Sequence, residues 1–309
     1  MQGGWSCERI TLKIPKLNSE SLVTGLIKVL GYSAIIFVAL IFYFLISEGL
    51  PALTDVPFGE FAKTRWYPIE DYFGLMPLLV GSLIVTIGAL IIAVPIGLLT
   101  AIYIAEVASP RTKEFLKPLV ELLGGFPSVV LGFLGLLILS QYLREIFALP
   151  TGLSALTGAL ILAGIAIPAI VSISEDALDA VPQSYRDASL ALGATEWQTI
   201  WWVTLPAAKS GVLTAIMLGI GRAIGETMVV LMVTGNAPMM PQGLATFINP
   251  TRTMTATIAA EMGEVANGST HYHVLFFIGI VLFIIALIVN VTASTFVFRR
   301  KKRSERILS

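Results

Sequence analysis

Apolar residues along this chain come in long unbroken runs, not in the alternation that marks half-buried strands or surface helices. Six runs are long enough for the roughly 20 helical residues that cross about 30 Å of hydrocarbon. They are Val29–Ile46, Met76–Ile104, Pro118–Leu139, Ser154–Ile173, Gly211–Thr234 and Val274–Phe298. The pattern predicts an all-α integral membrane protein with six transmembrane helices. The first run begins after a polar tail of 28 residues and has no small-x-small cleavage signal, so it reads as an uncleaved anchor.

Polar residues set the orientation. Of 20 Lys and Arg, fifteen fall in the tail before the first run, in the connections after runs two and four, and in the tail Arg299–Arg306. Only Lys63, Arg65, Arg144 and Arg252 fall on the other side, and Arg222 lies inside the fifth run. Positive residues accumulate on the cytoplasmic side, which predicts both termini there. The outer loops then fall near 47–75, 140–153 and 235–273. Trp66, Tyr67, Tyr72 and Phe73 stand before the second run, as an interfacial aromatic belt would. Within the last loop Thr253–Val265 reads either as a helix folded back towards the membrane or as a solvated loop. Glu261 and Glu264 are assigned no chemistry, and His271 and His273 read as surface or capping residues.

Composition agrees with the pattern and excludes several classes of function. The 309 residues are 56% hydrophobic and 13% charged, with mean hydropathy +0.84, against about 45–50% and 25% in soluble domains. A net charge of zero argues against a nucleic-acid partner. The single cysteine, Cys7, excludes an internal disulfide and any CxxC site. No HExxH pattern occurs, so neither a metal nor a cofactor is expected. No G-x-x-x-x-G-K-[ST] occurs either, so an ATP-driven process would need its motor on another chain.

The most informative polar stretch is Ala180–Pro206, AVPQSYRDASLALGATEWQTIWWVTLP. Pro182 suits a first helical turn and Gly193 a C-terminal stop. Thr195 with Gln198 makes a capping box for a second short helix, which Pro206 is expected to end. The first helix either docks in a groove on a partner or rests on lipid headgroups.

Asp187-Ala188-Ser189, Gly193 and Val203-x-Leu205-Pro206 resemble, at the correct spacing, the EAA signature of ABC-importer permeases. Asp stands for the usual Glu and Ser for the second Ala. Three further stretches narrow the resemblance to phosphate-uptake permeases of the PstC type: Glu121–Val130 (ELLGGFPSVV), Gly221–Thr227 (GRAIGET) and Ala259–Glu264 (AAEMGE). It covers about residues 72–298. The resemblance implies a type I importer permease: a permease core over 76–298, with a coupling loop at 174–210 for a cytoplasmic ATPase. Around the core it implies a tail over 1–28, a first helix with its outer loop over 29–75, and a basic tail over 299–309. It implies a prokaryotic cell-membrane location, a PstA-like sister permease, two PstB-like ATPase subunits and a PstS-like phosphate-binding protein outside. Arg186, Asp187, Ala188, Ser189, Gly193, Leu205 and Pro206 become the ATPase-coupling candidates.

Arg222 and Glu226 are the charges inside the fifth run, where each costs about 2.5–3.5 kcal/mol or more. Spacing i, i+4 in a helix puts them on one face, with the small residues Ala215 and Gly219 before them. Those small residues either admit a neighbouring helix or leave room for a solute. The two charges form either a mutual ion pair or a phosphate gate, in which a guanidinium fork matches phosphate oxygens. A carboxylate accepts the O–H that phosphate carries and sulfate lacks. Glu121 reads as a helix-start or headgroup residue, and Gly124, Gly125 and Pro127 as a break near the path or a packing kink. The competing functions are a permease for molybdate or sulfate, and a proton-coupled secondary transporter using Glu226. An intramembrane enzyme lacks any nucleophile–base pair in the spans.

Overall fold

The computed structural model describes residues 19–241 and 243–305, so the readings made on Cys7, the first basic residues and Arg306 lie outside it. In chain order the helices are α1 Ser19–Gly49, α2 Ala52–Asp55, α3 Phe58–Phe61, α4 Met76–Ile102, α5 Pro110–Gly125, α6 Ser128–Leu134, α7 Ser140–Ile146, α8 Ala155–Asp179, α9 Gln183–Ala191, α10 Glu196–Thr199, α11 Leu205–Gly225, α12 Met228–Val233, α13 Met254–Glu261 and α14 Thr270–Glu305. Strands β1 (Trp66–Tyr67) and β2 (Tyr72–Phe73) form an antiparallel hairpin before α4. Single π-helical turns at Tyr103–Val107, Gly135–Leu139 and Ile200–Thr204 extend α4, join α6 to α7 and join α10 to α11.

Among the described residues, six helical stretches are long and apolar enough to cross a membrane. Contacts divide the chain after Leu45; the described part of the first unit is α1 up to Leu45, and the second unit holds the end of α1 and the remaining elements. Its centre is α8, which packs against α4, α5, α11 and α12. Small residues permit this. Ala89, Ala93 and Ala101 of α4 and Ala155, Ala159, Ala163 and Ala166 of α8 are buried completely or nearly so. A Cβ on Gly88 would stand 3.1 Å from that of Ala159, and one on Gly97 would stand 2.9 Å from Ile170 Cγ2. Backbones approach that closely only where side chains are small. Ser154 begins α8 by accepting from the Thr157 N–H.

The third and fifth spans depart furthest from the expected boundaries. The third runs over Ser128–Ile146, not Pro118–Leu139, and the second outer loop shortens accordingly. Pro127 has no N–H to continue a helix, and Phe126 before it takes an extended ψ of 134°. Residues 118–125 therefore close the amphipathic helix α5. On its inner face Leu116 and Val120 pack on the core beside Lys113 and Lys117. These lysines pair at 2.9 and 2.6 Å with Glu175, a buried carboxylate near the end of α8. Hydrogen bonds to Glu175 and Asp176 raise the pKa of Lys117.

The fifth span begins earlier and ends earlier than Gly211–Thr234. Pro206 does not end the preceding segment; it lies in the first turn of α11, where its missing N–H costs nothing. A continuous helical stretch covers Glu196–Gly225, and the chain breaks at Glu226.

The loops expected on the outer side are more ordered than a solvated reading allows. Thr253 caps α13 by accepting from the Ala256 N–H, and Met254–Thr257 are buried against α4, α12 and α14. In the hairpin, strand alternation sends Trp66 and Phe73 inwards to 2% exposure each. Those two belong to a packed core and not to an aromatic belt. Tyr67 and Tyr72 instead flank the Arg65 guanidinium, whose Cζ lies 4.4 Å from the Tyr72 ring centre.

Candidate functional site

Two helix breaks are linked by a side chain. One separates α5 from α6 at Phe126–Pro127, and the other separates α11 from α12 at Glu226–Thr227. Arg222 joins them, since its Nη2 donates to the Gly124 carbonyl at 3.0 Å, near the end of α5. That carbonyl belongs to the orphan set every helix C-terminus leaves.

Arg222 and Glu226 do not share a helix face, because α11 ends at Gly225 and Glu226 has an extended backbone with ψ 128°. Nor do they form an ion pair. Glu226 Oε1 accepts instead from the backbone N–H groups of Thr227, Met228 and Val229, at 3.2, 3.1 and 3.3 Å. The carboxylate thus satisfies the donors that open α12. Thr255 of α13 donates to the Glu226 carbonyl at 3.1 Å, tying the break to the outer cap. Arg222 is exposed and, among the described residues, has no carboxylate within ion-pair distance. The arrangement leaves one guanidinium beside two broken helices, with Glu226 Oε2 making no hydrogen bond among the described contacts.

The small residues have a definite role. A Cβ on Gly219 would sit 2.7 Å from Ile170 Cγ1, and Ala215 is fully buried. They admit α8 and leave no room for a solute. Glu121 is exposed on α5 and is not the first residue of any helix.

The loop Ala180–Pro206 has the expected local structure. Pro182 precedes α9, Gly193 takes φ +86°, and Thr195 with Gln198 forms a reciprocal capping box. Asp187 and Ala188 are exposed, with Tyr185, Ala191 and Leu192 beside them. Ser189 turns inwards and accepts from the Thr199 hydroxyl at 3.0 Å, bracing α9 against α10. Leu205 is half-buried and packs on the core, while Pro206 is exposed. Arg186 points back into the molecule, where its partner is Glu106 at the end of α4.

A third cluster, where the β1–β2 hairpin meets α13 and α14, escaped sequence analysis. Glu261 of α13 accepts from Arg252 Nη2 at 2.6 Å and from Trp66 Nε1 at 3.2 Å, and it contacts His271 Nε2 at 2.8 Å. These residues line a cavity of about 400 Å³. Burial pushes the Glu261 carboxyl up, but the bonds from His271, Arg252 and Trp66 outweigh it and hold the group below its usual value. Nothing local in the sequence joins residues 66, 252, 261 and 271. Their only common signal is that each is polar or amphipathic beside an outer loop.

The family model described as "Binding-protein-dependent transport system inner membrane component" matches residues 93–304. "Probable ABC transporter permease protein YqgH" of Bacillus subtilis is 38% identical over 234 residues, 75% of either chain. "Phosphate transport system permease protein PstC" of Mesorhizobium japonicum is 32% identical over 279 residues, 84% of either chain. The fold is similar to that in a bacterial alginate ABC transporter crystallised with an alginate pentasaccharide-bound periplasmic protein. The TM-score there is 0.61 at 16% identity, over 90% of this chain and 95% of that one.

Proposed function

The chain belongs to the family of binding-protein-dependent transport system inner membrane components, and from that premise we propose that it is the PstC-like permease subunit of an ATP-driven importer of inorganic phosphate. Four features of the reading go beyond the family: the solute, the residues of the path, the partner set and the orientation.

The observation that carries the solute is the unpaired guanidinium of Arg222 between two broken helices. A lone cation in a membrane span is retained where it faces a partner or an anion path. The guanidinium fork fits two oxygens of a phosphate. Glu226 serves the same path differently from a simple counter-ion. Oε1 holds the turn into α12, and Oε2 is free to accept the O–H of a protonated phosphate. Relatives named as phosphate transport permeases, such as those of Mesorhizobium japonicum and Mycobacterium tuberculosis, support the choice over molybdate or sulfate. The proton-coupled reading loses ground because Glu226 is already engaged by three backbone donors.

On the inner side, the exposed face of α9 around Asp187 and Ala188 is the docking surface for an ATPase subunit, with Gly193, Ser189, Leu205 and Pro206 shaping its support. Outside, a phosphate-binding protein delivers the solute, and a PstA-like sister permease completes the path. Both termini face the cytoplasm.

Uptake of phosphate and sulfate by the reconstituted complex, at matched levels, tests the reading. Arg222→Gln is expected to abolish phosphate flux in an assembled complex, and Glu226→Gln to lower it while admitting sulfate. Normal phosphate flux in Arg222→Gln would overturn the path assignment.

A further inference from the structure

One guanidinium gathers three elements at the inner end of the core. Arg186 of α9 donates through Nε and Nη2 to the two oxygens of Glu106, at 3.1 and 2.6 Å. The same side chain donates through Nη1 to the Val181 carbonyl at 2.7 Å and through Nη2 to the Leu178 carbonyl at 3.0 Å. Glu106 lies in the π-helical turn that continues α4, Leu178 in the last turn of α8, and Val181 in the turn leading to α9. Both charged side chains are largely withdrawn from water, at 14% and 7% exposure.

We infer that Glu106 is a positioning residue for energy coupling: through Arg186 it fixes the docking helix α9 to the inner ends of α4 and α8. The inference rests on the proposed docking of α9 on an ATPase. Three physical points carry it. First, a bidentate guanidinium–carboxylate pair sets direction as well as distance, which an apolar contact would not. Secondly, the pair has given up water to form, a cost that apolar packing of the same loop would avoid. Thirdly, α4 and α8 pack tightly against each other in the core, through Gly88, Gly97, Ala159 and Ile170. A displacement of α9 therefore reaches α4 through the Arg186 side chain, and α8 through the same side chain and the short turn Ala180–Pro182. Among the described residues, the bond from Thr199 to Ser189 leads to the neighbouring short helix.

The test uses the complete reconstituted complex and reads phosphate transported per ATP hydrolysed, a ratio that a purely structural loss of material leaves unchanged. Glu106→Gln removes the charge while keeping size, and the ratio is expected to fall about tenfold, the scale of a charge-assisted hydrogen bond. Glu106→Asp, which keeps the charge, is expected to recover most of it. A ratio within twofold of wild type in Glu106→Gln overturns the inference. If that variant fails to assemble, Arg186→Lys takes its place, since it keeps the charge and loses the fork, and the same fall is expected. Failure of both to assemble would make the pair a folding contact and overturn the inference as well. The docking premise is tested apart, by cross-linking Ala188→Cys in a Cys7→Ser background to the ATPase subunit. Absence of that cross-link overturns the docking of α9. A cross-link together with an unchanged ratio in Glu106→Gln overturns the role of Glu106 alone.

Discussion

At the residue scale, the two charges of the fifth span act on different partners, and that separation is testable. A mutual ion pair would let the Arg222→Gln, Glu226→Gln double variant recover what either single variant loses. Arg222 bonds Gly124 and Glu226 bonds the start of α12, so the double variant is expected to be at least as impaired as Arg222→Gln. Recovery of wild-type phosphate flux would refute this. Gly193 makes a second case. A Cβ there meets no atom within 4 Å, but φ is +86°. The penalty for Gly193→Val is thus conformational, about 1–3 kcal/mol for a non-glycine residue held there. Gly193→Asn is expected to keep coupled transport, because Asn tolerates positive φ, while Gly193→Val hydrolyses ATP with reduced uptake. Gly193 was legible from the sequence because local punctuation decides it. The partners of Arg222 and Arg186 were not, because they sit 98 and 80 positions away.

At the scale of elements, the small residues of α11 give a packing prediction. Gly219→Leu would drive a side chain into Ile170, already 2.7 Å from the place of a Cβ. Overpacking of this kind costs about 1–3 kcal/mol. The midpoint of thermal unfolding in lipid should fall, and Ile170→Ala in the same chain should restore part of it. Had Gly219 been kept clear for a solute, Ile170→Ala would leave the defect of Gly219→Leu untouched. Helix ends were read well where a cap or glycine marks them, as at Ser154, Thr195 and Gly193. They were read poorly where an apolar run hides a break. Glu226 ends α11 inside an unbroken hydrophobic stretch, because a carboxylate that supplies the acceptors for a new first turn makes the interruption affordable in a membrane.

At the scale of the whole molecule, the outer cap and the orientation are open to measurement. Glu261 holds Trp66, Arg252 and His271 together and has a lowered pKa. A carboxyl lowered in the folded state lends stability above its unfolded value of 4.5 and loses it as pH falls through the folded value. Hydrogen exchange of the α13 amides should therefore quicken as pH drops below about 4.5, after correction for intrinsic rates. Glu261→Gln should exchange faster at neutral pH and lose that dependence. For orientation, Asn267→Cys should react with a membrane-impermeant thiol reagent in intact cells while native Cys7 does not. External labelling of Cys7 would overturn the topology.

Hydropathy determined the class and the number of spans, because a bilayer demands long apolar runs wherever they occur, and the motifs at 121–130, 187–206, 221–227 and 259–264 carried the family resemblance. The local structure of the loop Ala180–Pro206 was equally legible, since its turns depend on neighbouring residues. Tertiary structure alone decided how the polar groups are used. Their partners are chosen by proximity in space, which the sequence does not display: Glu106 for Arg186, the Gly124 carbonyl for Arg222, and Arg252, His271 and Trp66 for Glu261.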